Sequence, residues 1–152
     1  MNPETSVDQT RAAAPLRVRG VEHIGIAVKD MGAARTVLET LGLSVELEQE
    51  WPQFGVGMAW YPAGGTGLEL LCGGADAPFV GKWLGDGAGF FHVCLEVDDI
   101  RAAMAALKER GVELSEDEPH PGHGGRLMCF IDPESTAGLL FELVQVPDGE
   151  TD

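Results

Sequence analysis

Four side chains in this sequence have the types and the spacing to hold a metal ion. His23 and His92 each occupy the middle of an apolar run, VEHIGIAV and FFHVCLEV. Glu69 and Glu142 do the same in GLELL and LFELV. The acid follows the histidine by 46 residues in the first half of the chain and by 50 in the second. A carboxylate flanked by leucine and phenylalanine on a buried strand is costly unless it is paired or coordinates a cation. Nitrogen and oxygen donors without a thiolate suit one divalent first-row ion: Co, Ni, Mn, Zn or Fe(II). A lone histidine on an apolar strand is ordinarily a satisfied core residue, and a lone glutamate in a strand ordinarily faces solvent. Duplication at matching positions is what favours a site.

The duplication extends well beyond these four residues. Residues 21–50 align without gaps on residues 90–119 at an offset of 69, so that His23 falls on His92, Asp30 on Asp99, Leu38 on Leu107 and Gly42 on Gly111. Each copy opens with a β-branched or aromatic run that predicts a strand, Val21–Val28 and Phe90–Val97. Asp30, or Asp98/Asp99, then stands where a helix N-cap belongs. Met31, Ala34, Val37, Leu38 and Leu41, like Ile100, Ala103, Met104 and Leu107, recur at helical spacing. Gly42 and Gly111 suit left-handed C-terminal caps. Three strands are predicted after each helix: Leu43–Leu47, Val56–Tyr61 and Leu68–Cys72, then Val112–Leu114, Leu127–Ile131 and Leu139–Val144. The fold class is therefore α+β, two tandem βαβββ modules combined into one curved mixed sheet around the metal site. The modules span residues 19–75 and 88–147 of a single domain. A disordered leader (1–18) and a polar tail (148–152) flank it.

Composition excludes other classes. Twenty-five acids against ten bases give a net charge of −15, which repels nucleic-acid phosphates and anionic lipid. No apolar run reaches the roughly 18–20 residues that span a bilayer, and the leader lacks a signal-peptide core. Cys72, Cys94 and Cys129 are odd in number and lie in apolar stretches, so reduced core thiols in the cytoplasm are expected.

The chain resembles the vicinal oxygen chelate (glyoxalase/bleomycin resistance/dioxygenase) superfamily, and within it the methylmalonyl-CoA epimerases. The resemblance runs from about Val18 to Val146, on VEHIGIAVKD, VGKWL, LEVDDIRAAMAALKERGVELSEDEP and PGHGGRLMCFIDPESTAGLLFELVQ. The long DPESTAG link resembles the epimerase form rather than the shorter DPDG-type turn of lactoylglutathione lyases. The resemblance implies His23, Glu69, His92 and Glu142 as ligands and a homodimer as the assembly. It also implies an isomerase that inverts the carbon beside a thioester carbonyl, of a small-molecule substrate such as an acyl-CoA, through an enolate. Inversion needs a base and a proton donor on opposite faces, and Glu142 and Glu69 are the candidates. Glu48 and Glu50 are expected to be solvated.

Met58 stands where some members carry a catalytic Glu after a Gly-Val pair, Phe91 precedes the third ligand where a histidine is usual, and Glu134 replaces a lysine. Met58, Trp60, Lys82 and Arg126 are candidate pocket residues, core packing being the plainer reading for the first two. Trp51 and Trp83 are open between pocket and interface. His120 and His123 lie in a Pro/Gly-rich loop, expected at the surface, which would make a lid. The second reading is a metalloenzyme of this fold (isomerase, lyase or glyoxalase-like) acting on a molecule without coenzyme A. The third is a non-catalytic small-molecule binding protein, against which all four ligand positions argue.

Overall fold

The computed structural model describes residues 16–73 and 89–149. Chain order is β1 (Val18–Ala27), α1 (Met31–Thr40), β2 (Leu47–Trp51), β3 (Val56–Ala63), β4 (Thr66–Cys72), β5 (Gly89–Val97), α2 (Ile100–Glu109), β6 (His120–Pro121), β7 (Leu127–Ile131) and β8 (Phe141–Gln145). The strands form one curled eight-stranded sheet in the order β2-β3-β4-β1-β5-β8-β7-β6. β1 and β5 pair antiparallel at its centre. Each then pairs parallel with the last strand of its own half, β1 with β4 and β5 with β8. The order therefore reads the same outward from the centre on both sides, as the repeat requires.

Both helices start where an aspartate caps them. Asp30 accepts from the Ala33 N–H and Asp99 from the Ala102 N–H, each at 3.0 Å. Both helices end at a left-handed glycine, Gly42 at φ 91° and Gly111 at φ 79°, a conformation that costs glycine no Cβ clash. Helix α2 buries Ile100, Ala103 and Met104 against Val97, Cys129, Ile131 and Leu143. Helix α1 lies beside Ala59, Tyr61 and Leu70 and leaves Val37 and Leu41 exposed. The opposite face of β3 carries Val56, Met58 and Trp60 into a separate cluster with Phe91 and Phe130. Strand alternation thus divides the helix-backed side of the sheet from the side that holds the site.

Two outer strands differ from the sequence expectation. Strand β2 begins at Leu47, not Leu43, because the Leu43 N–H turns back to the Leu38 carbonyl to close α1. Leu43 and Val45 pack beside α1 instead of extending the ladder. The expected strand Val112–Leu114 is a single bridge from Leu114 to Ile131. The Val112 N–H closes α2 on Leu107, and the Glu113 N–H is taken by Ser135 Oγ. The outermost strand of the second half is His120–Pro121. Strand β1 starts at Val18, inside the span expected to be leader. No helix among the described residues is long and apolar enough to cross a membrane.

Candidate metal centre

The four residues selected by type and spacing converge on one point in the sheet. His23 lies on β1, His92 on β5, Glu69 on β4 and Glu142 on β8, all between 1% and 8% exposed. Register explains the convergence. Glu69, Gly25 and His92 are lateral neighbours across β4, β1 and β5. His23, Cys94 and Glu142 are lateral neighbours across β1, β5 and β8. Each row places a small residue between its two functional side chains. Those small residues, Gly25 and Cys94, are themselves equivalent in the repeat. A Cβ on Gly25 would lie 2.1 Å from His92 Cε1 and 2.2 Å from its Nδ1, in hard clash with the imidazole ring. The backbone of β1 therefore serves as the bed on which His92 rests.

The Nε2 atoms of His23 and His92 are 2.8 Å apart. Glu142 Oε2 lies 2.8 Å from His92 Nε2 and 3.3 Å from His23 Nε2, and Glu69 Oε1 lies 3.7 Å and 3.8 Å from the same two nitrogens. Adjacent donors about 2.1 Å from one ion sit roughly 3.0–3.4 Å apart, so the cluster has the span of a coordination shell. Two buried imidazole lone pairs at this separation repel unless a proton or a cation stands between them. His23, His92 and Glu142 each offer an atom close enough for one ion, and the donor set fits a divalent metal.

Electrostatics divides the two acids. Burial works against the charge of Glu142, yet His92 and His23 hold it at about 2. Burial pushes Glu69 up from the ordinary carboxylate value, and the two histidines only partly offset it. His23 is penalised by burial, but Glu69 leads the groups that lift it well above the ordinary histidine value. The sign for stability follows. Charged His23 stabilises the metal-free fold below about pH 6.5, and this contribution is lost as pH rises through its raised value. A metal must displace that same proton, so its stabilisation grows with pH. Added Co²⁺ is expected to raise Tm more at pH 8 than at pH 6 in paired thermal melts. An equal or larger shift at pH 6 would contradict this protonation account.

An apolar pocket opens onto the centre, with Trp51, Phe54, Val56, Leu71, Met128 and Phe130 around Glu69, His92 and Glu142. His120 belongs to its wall. It is part-buried, stacked on Phe130 at 6.2 Å and hydrogen-bonded to Glu116, which corrects the surface position expected for it. His123 is likewise part-buried, edge-on to Trp60 at 5.6 Å. The loop between them is pinned by Gly122 N–H to Arg126 O at 2.8 Å.

Trp60 meets His23 edge-on at 5.2 Å. Met58 is buried in the same aromatic cluster, without lining the pocket. Arg126 faces a second cavity on the far side of Trp60, with Glu22 and His123. Its Nε is 3.4 Å from Glu22 Oε1. Glu48 and Glu50 are exposed, as expected. Lys82 and Trp83 lie outside the described residues. The three cysteines are free, Cys94 and Cys129 buried, and burial pushes the Cys129 thiol up to about 12.

Sequence reading missed Gly25, Cys94 and Glu22. The first two carried a signal: a small residue two places after each histidine, HIG and HVC. Glu22 carried none, since simple alternation places its side chain on the opposite face from His23.

Residues 22–130 match the family model of the glyoxalase/bleomycin resistance protein/dioxygenase superfamily. The chain is 38% identical to ethylmalonyl-CoA/methylmalonyl-CoA epimerase of Cereibacter sphaeroides, over 83% of this chain and 97% of that one. It is 34% identical to mitochondrial methylmalonyl-CoA epimerase of Bos taurus, over 82% and 73%. A variant of Streptomyces coelicolor methylmalonyl-CoA epimerase in complex with 2-nitronate-propionyl-CoA superposes with a TM-score of 0.79 at 30% identity, over 90% of this chain and all of that one. With its mirrored sheet and its paired histidines and glutamates, the chain belongs to the glyoxalase/bleomycin resistance protein/dioxygenase superfamily, and within it to the methylmalonyl-CoA epimerase family of isomerases.

Proposed function

We propose that the chain is a metal-dependent epimerase of methylmalonyl-CoA or a close 2-acyl thioester. It would invert the carbon between carboxylate and thioester by removing a proton on one face and returning one on the other. The observation that carries this reading is the pair of buried carboxylates, Glu69 and Glu142, held on opposite flanks of the histidine pair by equivalent strands. His23, Glu69, His92 and Glu142 would hold the ion, which when bound supplies a positive charge that stabilises enolate formation.

The protein's own groups do the rest. Glu142, 2.8 Å and 3.3 Å from the two imidazole nitrogens, is the candidate to accept the C2 proton. Glu69, on the opposite flank of the histidine pair, is the candidate to return a proton on the other face. Trp51, Phe54, Leu71 and Phe130 exclude water and so protect the carbanionic state from bulk quenching. Arg126 and Lys82 are the bases assigned to the coenzyme's phosphates, with Trp60 and Met58 backing the site. A homodimer in the cytoplasm belongs to the same reading, supported by the free cysteines and the edge strands β2 and β6.

The test is incubation of the Co²⁺-loaded protein with methylmalonyl-CoA in heavy water, following the C2 proton by NMR. Loss of that signal at a catalysed rate is expected. No exchange with metal demonstrably bound would favour a metalloenzyme of the same fold acting on a substrate without coenzyme A. That second reading draws on Met58 in place of an acid and on the net charge of −15.

A further inference from the structure

Glu22 precedes His23 on β1, and in a regular strand their side chains would point to opposite faces. Here they meet, because β1 carries an extra residue at this point. Val21 pairs with Leu95 and His23 with Cys94, which leaves Glu22 as the bulged residue. A bulge turns its side chain out of strict alternation, and the Glu22 carboxylate reaches His23 Nδ1. The other carboxylate oxygen is held 3.4 Å from Arg126 Nε. Both side chains of this pair are largely shielded, at 10% and 16% exposure.

The repeat supplies an internal control. The equivalent of Glu22 is Phe91, and it too sits at a bulge, since Gly25 pairs with His92 and Ile26 with Phe90. Phe91 offers no acceptor, and His92 Nδ1 has no hydrogen-bond partner among the described residues. His92 is instead braced edge-on by Phe91 at 5.2 Å and Phe130 at 5.8 Å. The backbone device was duplicated with the histidine, while the carboxylate stands on one side only. Glu22 also lies near Cys94 in a possible ligand trio with His23. Burial pushes that thiol far above the range in which a thiolate forms, so the trio is a poor metal site.

We infer that Glu22 is a positioning residue for the metal centre: it fixes His23 as the Nδ1–H tautomer, aims the Nε2 lone pair at the cluster, and is itself anchored by Arg126. This rests on the metal-centre reading for its purpose but not for its first observable. The test uses the full chain with His-selective ¹⁵N labelling, read by NMR without metal at a pH where His23 is neutral, and Co²⁺ titration by calorimetry. The wild type is expected to show His23 protonated on Nδ1 alone. Glu22→Gln, whose amide oxygen still accepts, should keep that tautomer. Glu22→Ala should populate both tautomers and weaken Co²⁺ binding by about 10–100-fold, the usual range for losing an orienting partner. If Glu22→Ala does not fold, Glu22→Asp, too short to reach Nδ1, takes its place with the same expected losses. Wild-type tautomer and affinity in both short variants would overturn the inference. A wild type that binds no divalent ion would sink the metal reading, while its ring tautomer would still report whether Glu22 orients His23.

Discussion

Glu142→Ala is expected to lose its metal and its catalysed proton exchange together. The carboxylate is 2% exposed and lies 2.8 Å and 3.3 Å from the two imidazole nitrogens. It is thus both the closest anionic donor of the cluster and the group proposed to take the C2 proton. A positioned acid–base group contributes about 10²–10⁴-fold to a rate. Exchange should therefore fall by at least that factor, and further because the ion leaves with its ligand. Without metal the same change removes a buried carboxylate that faces both imidazoles. Truncating one member of a buried charged set leaves the others uncompensated, so the metal-free variant should also melt lower. Calorimetry with Co²⁺ and NMR of the C2 proton measure the two effects separately. Retained affinity with lost exchange would leave Glu142 a base but not a ligand, and retention of both would remove it from the site.

Gly25→Ala should damage the same centre without touching any ligand. The added Cβ falls 2.1 Å from His92 Cε1 and 2.2 Å from Nδ1, so the ring has to move. Its Nε2 then leaves the point it shares with His23 and Glu142. Metal affinity is expected to fall by at least the ~10–100-fold seen when an orienting contact is lost. Forced overpacking of this kind costs about 1–3 kcal/mol of stability. A double-mutant cycle separates the cause from any strand effect. In a His92→Ala background the methyl has space, and Gly25→Ala should then be neutral or stabilising. An equal loss of stability in both backgrounds would show that the glycine serves the strand and not the histidine.

The candidate ligands were legible as a group because they are duplicated. His23, Glu69, His92 and Glu142 recur at matched positions in runs of apolar residues, and burial plus the mirrored strand order brings them to one point. Helices were equally legible from Asp30, Asp99, Gly42 and Gly111, since capping is local chemistry. The outer strands were harder. Val112–Leu114 has strand composition, but its N–H groups are taken by Leu107 and Ser135 across a turn, a competition that hydrophobic pattern does not report. Glu22 was hidden for a related reason. Its contact with His23 depends on a bulge, which shifts register by one residue and reverses what alternation predicts. The Pro and Gly that flank His120 suggest a free loop at the surface. Phe130 and Glu116, distant or weakly patterned in sequence, draw it inward.

On the proposed reading, two histidines from equivalent strands, His23 and His92, share one ion. X-ray absorption at the cobalt edge of the Co²⁺-loaded chain reads this directly. One ion per chain with two imidazoles in its shell is expected, falling to one imidazole in His23→Ala and likewise in His92→Ala. No stoichiometric ion, or an imidazole count unchanged by either substitution, would contradict the account.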